Sequence, residues 1–154
     1  MPDGRIHRGA GMVCGGLVAV ARARPQDGDA NILIMLGGGV GGYIAAQWPD
    51  LLEPAVAPNH RQAAHSVAVG GGLVSYAARA VPAWETHWRS IAIDARNRRL
   101  QPTTAPSEQF LLLAAECLAW LLVGVLAGMT GGYVSHLVLD GCTSAGLPLI
   151  GLCV

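Results

Sequence analysis

The chain has 154 residues, so it is one domain. Hydrophobic residues make up 52% of it and charged residues 13%, against about 25% charged in an ordinary soluble domain. All ten basic residues are arginine, and formal net charge is zero, so nothing suggests a nucleic-acid partner.

Five apolar stretches follow one another. The first, about Gly9 to Ala21, follows Arg5, His7 and Arg8 and is short for a full membrane crossing. Its arginines faintly imitate a secretory leader, but no cleavage site stands out from the small residues. The second runs from Asn31 to Trp48 and is expected to stop at Pro49. The third runs from Ala63 to Val81 and is expected to stop at Pro82. The fourth, Gln109 to Met129, is the strongest, with Ser107 as its expected N-cap and Glu108 in its first turn. The fifth starts near Gly132 and continues to the C-terminus, interrupted by Gly146 and Pro148. A span needs about 20 apolar residues, so the second, third and fourth qualify and the outer two are marginal. The polar connection Pro82–Pro106 reads as a surface loop, with a short strand or helix near Ser90–Ala95. Twenty-one glycines fit membrane helices, in which small residues let backbones approach. The expected fold is all-α: an integral-membrane bundle of four to five hydrophobic helices.

Cys14, Cys117, Cys142 and Cys153 form no CxxC pair and read as small buried hydrophobes. Gly37, Gly39 and Gly42 match G-x-G-x-x-G, but no strand–helix context surrounds them.

The ionisable residues are placed unevenly. If the first four stretches cross a membrane, the N-terminus, the Pro49–Gln62 loop and a turn near Thr130 share one side. That side holds three arginines and the other seven. The positive-inside rule then puts the Pro82–Pro106 loop in the cytoplasm and the first side outside. His7, Asp50, Glu53, His60, His65 and His136 all fall on that outer side. Imidazole and carboxylate are ligands for zinc and similar divalent ions. In an apolar protein they are costly to bury unless paired or metal-bound.

The pieces differ in strength. His136 and Asp140 are four apart and stack on one helix face, which suits two ligands of one ion and equally a hydrogen-bonded pair. His60 and His65 lie about 140° apart on a regular helix, so one belongs to the loop and the other to a helix start. Ser66 is then a capping or supporting hydroxyl rather than a nucleophile. Arg61 offers a planar fork to an anionic group or snorkels at a membrane surface. Asp50 and Glu53 supply carboxylates for a ligand and a base, or a plain polar loop. His87, between Trp84 and Trp88, reads as an interfacial loop residue on the other side.

The runs Trp48–Pro54, Asn59-His60-Arg61 through His65-Ser66, and Gly132–Asp140 resemble the signatures of a family of bacterial inner-membrane metal-dependent hydrolases. That family includes LexA-regulated membrane proteins and is distantly related to zinc phospholipase C. Gln62 stands where the family commonly has glycine, and Glu53 where many members have a second aspartate. The resemblance implies a multi-pass inner-membrane enzyme carrying one or two divalent ions, zinc foremost. Its ligands would be His7, Asp50, His60, His65, His136 and Asp140. Glu53 would be the base and Arg61 the partner of a phosphate. The substrate would be a phosphoester of a membrane lipid or lipid-linked molecule. The competing readings are a non-enzymatic membrane protein with a structural metal or polar network, and an assembly module whose glycine faces bind other helices.

Overall fold

A computed structural model describes residues 4–53 and 64–142; His60, Arg61, Gln62 and Cys153 lie outside them. The described chain is helical throughout, without strands. Four long helices make the body: α1 (Gly4–Ala21), α2 (Asn31–Ala45), α4 (Val67–Arg99) and α5 (Pro106–Gly141), with a short α3 (Trp48–Leu52) after α2. A 3-10 turn over Pro25–Ala30 joins α1 to α2.

α5 is the axis. It packs on α1, α2 and α4, while α1 and α2 also pack on each other. Glycines set the spacing of the α1–α2–α5 triangle. A Cβ at Gly128 would fall on the backbone of Gly38, one at Gly132 on Gly42, and one at Gly15 on the Gly38 carbonyl. These small residues recur every four positions, which lines one helix face with bare backbone and lets the helices touch. The core beside these crossings is built from Ile34, Trp120, Val123 and alanines. The outer surface is apolar instead, with Leu17, Ile32, Leu36, Val40, Leu111 and Leu118 exposed. Two segments, Pro25–Leu52 and Pro106–Gly141, are long and apolar enough to cross a membrane.

Several expectations are corrected. Pro82 does not end the third stretch: α4 continues through it to Arg99, so the expected polar loop is helix apart from a short turn before Pro106. Proline removes one backbone bond, but Ala77, Val81, Glu85 and Arg89 form a buried four-residue stripe on both sides of it, and packing outweighs the lost bond. His87 is therefore an exposed helical residue, not part of a loop. The fourth and fifth stretches are one 36-residue helix, about 54 Å long, with no turn at Thr130. Gly131 and Gly132 are packing residues there rather than breakers. α5 starts at Pro106, with Ala105 as its N-cap in place of Ser107, because proline fits the first helical position. The cysteines also depart from a uniform core role: Cys14 and Cys117 are half-buried and Cys142 is exposed.

At one end of the bundle a buried ion network ties α4 to the α1–α2 connection. Arg89 donates to Asp27 at 3.0 Å and to Glu85 at 3.2 Å, and Arg22 donates to Glu85 at 2.6 Å. The Asp27 carboxylate also accepts the Arg24 backbone N–H at 2.8 Å. Further along α4, Arg96 and Arg99 both hold the buried Glu116 of α5. The other end of the bundle holds His7, His65 and His136.

Candidate metal centre

Four helix ends meet there: the start of α1 with His7, α3 with Asp50, the start of α4 with His65, and the last two turns of α5 with His136 and Asp140. The turn through Ala46 and Gln47 between α2 and α3 places Asp50 beside His65 and His136. His65 sits just before α4. Ser66 caps that helix, its hydroxyl accepting the Val69 N–H at 3.1 Å, which is the supporting role expected for it. Tyr133 of α5 donates its hydroxyl to the Ala64 carbonyl and so pins the residue before His65.

The side chains converge on one point. His65 Nε2 lies 3.4 Å from Asp50 Oδ1 and 3.5 Å from Asp140 Oδ2. His136 Nε2 lies 3.6 Å from the same Asp50 oxygen and 3.4 Å from the same Asp140 oxygen. Two nitrogens and two oxygens thus alternate around a closed ring. These separations are long for hydrogen bonds. Two ligands held about 2.0–2.2 Å from one ion at tetrahedral angles stand about 3.3–3.6 Å apart, so each adjacent N···O pair is spaced as two ligands of one ion are.

The ring nitrogens that face away are held. His136 Nδ1 lies 2.6 Å from the Ala46 carbonyl oxygen. A carbonyl only accepts, so Nδ1 carries the hydrogen, and in the neutral tautomer this leaves the Nε2 lone pair facing the centre. That Nε2 atom is fully buried and makes no hydrogen bond among the described residues. His65 repeats the arrangement: its Nδ1 meets Glu53 Oε2 at 3.0 Å, and the other Glu53 oxygen accepts the Ala64 N–H at 3.0 Å. A ligand histidine whose far nitrogen is fixed by a carboxylate or a carbonyl is the usual support of a metal site.

His7 joins from the side. Its ring stacks on His136 with centroids 4.0 Å apart, and its Nε2 is 3.6 Å from Asp140 Oδ1, the oxygen outside the ring of four. Two overlapping triads could therefore hold an ion: His7, His136 and Asp140, or Asp50, His65 and His136. Asp50 is the exposed member; the histidines and Asp140 are buried. An open cleft of about 370 Å³ reaches the cluster past His7, Arg8, Gln47 and Asp50.

Of the residues singled out in the sequence, the structure brings together His7, Asp50, Glu53, His65, His136 and Asp140. His60 and Arg61 fall outside the described residues. The sequence reading missed the Ala46 carbonyl and the Tyr133 hydroxyl. The first is backbone and leaves no side-chain signal. The second sits in the Gly132–Asp140 run, three residues before His136, and was legible there. Arg8 in the cleft was also passed over.

Compared with protein-family models, curated proteins and solved structures, the chain matches none.

Proposed function

We propose that this protein is a multi-pass membrane hydrolase with a single divalent ion, zinc foremost, bound by Asp50, His65, His136 and Asp140. The observation that carries the reading is the ring of four alternating N···O distances of 3.4–3.6 Å around the His136 nitrogen that has no hydrogen bond. One ion rather than two follows from His136. Both triads need it, its Nδ1 is occupied by Ala46, and an imidazole nitrogen has one lone pair. His7 then braces Asp140 and the His136 ring from outside the ligand set.

Hydrolysis needs an open position on the ion, so Asp50, the exposed ligand, would yield its place or the ion would take a fifth ligand; the water bound there would have a pKa of about 7, and the ion would polarise the scissile group. The chain's own residues do the rest. Glu53 has the contacts of an orienting carboxylate for His65 rather than of a base, and we assign it that role. Asp50, half-exposed at the cleft, is the ligand that meets substrate and the group placed to take a proton. Arg8, in the cleft wall and stacked over Tyr43 at 5.9 Å, offers a cation to a phosphate; Arg61 is proposed for the same task.

The membrane reading rests on an inverted distribution of polarity. His7, His65, His136, Asp27, Glu85, Arg89, Glu116 and Asp140 are buried, while many leucines, isoleucines and valines are exposed. Arg22, Arg24, Arg89, Arg96, Arg98 and Arg99 gather away from the cluster, which favours the cytoplasm for that end and the outer face of a bacterial inner membrane for the site. The resemblance to the inner-membrane hydrolases, and the open cleft at the bundle end, favour a phosphoester of a lipid or lipid-linked molecule. The test is metal analysis of the detergent-purified protein together with phosphoester turnover. The reading expects about one ion per chain, and activity lost on chelation and restored by zinc. Metal-free protein that is folded would overturn it.

A further inference from the structure

α1 and α4 both pack on α5 but hardly on each other, which leaves an open furrow between them on the outside of the bundle. Ala10 and Cys14 of α1, Val74 of α4, and Val134, Val138 and Leu139 of α5 line it, around about 520 Å³. It offers nothing to a polar ligand. Its hydroxyls are engaged within their own helix, Thr130 with the Leu126 carbonyl at 3.1 Å and Ser135 with the Gly132 carbonyl at 2.8 Å.

The path of the chain points to what covers it. α5 ends at Gly141, and the exposed Cys142 is its C-cap. Cys142 stands four residues beyond Val138 and so on the same face of the helix, the face that lines the furrow rather than the one that carries His136 and Asp140. The chain therefore leaves α5 at the mouth of the furrow. Residues 143–154, which follow, carry no charge and include Leu147, Leu149, Ile150, Leu152 and Val154. Gly146 and Pro148 supply a reversal signal soon after the helix, and Pro148 also suits the first position of a returning helical turn. A second groove, between α1 and α2, is as apolar and encloses about 600 Å³, but no residue of α5 lines it.

We propose that residues 143–154 fold back and seat Leu149, Ile150 and Leu152 in the α1–α4 furrow, bridging two helices that otherwise hardly touch. The reach fits. From Val138 the furrow descends about 6 Å of helix to Val134 and about 10 Å to Gly131, which lies against Cys14. The chain from Pro148 to Cys153 covers about 8 Å as helix and about 17 Å extended. Either form brings Cys153 level with Ala10 or with Cys14. The inference draws on the furrow and the chain path alone, and stands apart from the metal reading.

Disulfide trapping in the full chain tests this. Protein carrying Cys117→Ser and Cys142→Ser is placed in vesicles of phosphatidylethanolamine and phosphatidylglycerol and oxidised with copper phenanthroline. Linked peptides are mapped by mass spectrometry. Cys153 is offered in turn native Cys14, Ala10→Cys, and Val40→Cys in the wall of the α1–α2 groove, the last two in Cys14→Ser protein. A disulfide forms only where Cα atoms come within about 4.4–6.8 Å, so the yield reports position. The better furrow position is expected to exceed Val40→Cys on the order of tenfold, which corresponds to a preference of about 1.4 kcal/mol. Leu149→Asn together with Leu152→Asn leaves the bundle untouched and should remove that excess. Equal yields in the two grooves, as an undocked tether or a lipid-filled furrow would give, would overturn the proposal. So would no link at either furrow position, an excess that survives the two asparagines, or links found only between two copies of the chain.

Discussion

Glu53 holds His65 from behind: its Oε2 lies 3.0 Å from His65 Nδ1, while the opposite ring nitrogen faces Asp50 and Asp140. The carboxylate fixes the ring's rotation and tautomer. Glu53→Gln keeps the size but removes the charge, and the amide can present its NH2 to Nδ1 instead. Metal affinity should fall by about 10–100-fold, the usual cost of losing such a support, in protein that stays folded. Competition with a chromogenic chelator measures it. An unchanged affinity would mean that Glu53 does not orient a ligand.

His136 and Asp140 separate the metal reading from a merely hydrogen-bonded pair. In the second case His136→Gln keeps a polar group in place, costs about 0.5–1.5 kcal/mol of stability and has no metal to lose. As ligands, His136→Gln and Asp140→Asn should each reduce zinc content to a small fraction of the unaltered level. Atomic absorption on matched, folded samples decides. Undiminished metal in both variants would remove α5 from the site.

The convergence of His7, Asp50, His65 and His136 was legible because helices that alternate in direction return distant residues to one end. The count behind it was partly wrong and still gave the right grouping. Joining the fourth and fifth stretches into α5 moves His136 and Asp140 to the end of a helix rather than past a turn, but on the same side. Pro82 misled because the stripe of Ala77, Val81, Glu85 and Arg89 that carries α4 through it mixes apolar and charged residues. No apolar period marks such a face. Asp27 was hidden for a similar reason: in the run Gln26-Asp27-Gly28-Asp29 it reads as turn chemistry. Only the structure shows its carboxylate bonded to Arg89, 62 residues away.

Arg89 tests whether fold and site can be separated. It is buried between Asp27 and Glu85 at the end of the bundle away from the histidines. Arg89→Ala leaves Asp27 without its cation, and removing one member of a buried pair costs about 3–5 kcal/mol. Thermal unfolding in detergent should show that loss. Zinc per folded chain should stay unchanged. A fall in metal content at constant folded fraction would mean that the two ends are coupled.

Orientation is open to labelling. With all four native cysteines replaced, single cysteines at Gln101 and at Gln47 report on the two ends of the bundle. An impermeant maleimide applied to whole cells should modify the Gln47 position and spare the Gln101 position. The reverse pattern would turn the protein over in the membrane, with the cluster facing the cytoplasm.

One substitution placed at two glycines should act with opposite signs. At Gly128 a Cβ would overlap the backbone of Gly38, while at Gly71, on α4, it would meet nothing within 4 Å. Both residues are helical. Gly71→Ala should therefore stabilise, by about 0.5–1 kcal/mol, through the entropy that glycine loses on folding. Gly128→Ala gains the same entropy but must push α2 from α5, and backbone cannot give way as a flexible side chain can. It also disturbs Gly15, whose own Cβ position lies 2.9 Å from the Gly128 carbonyl oxygen. Overpacking of this kind costs about 1–3 kcal/mol, which exceeds the entropic gain. Because α2 leads directly into Ala46 and on to Asp50, a shift of α2 on α5 should also weaken zinc binding, whereas Gly71→Ala should leave it alone. Unfolding midpoints and zinc affinity, measured side by side on the two variants, check both signs. Equal and small effects at the two positions would show that the close α2–α5 crossing does not hold in the folded protein.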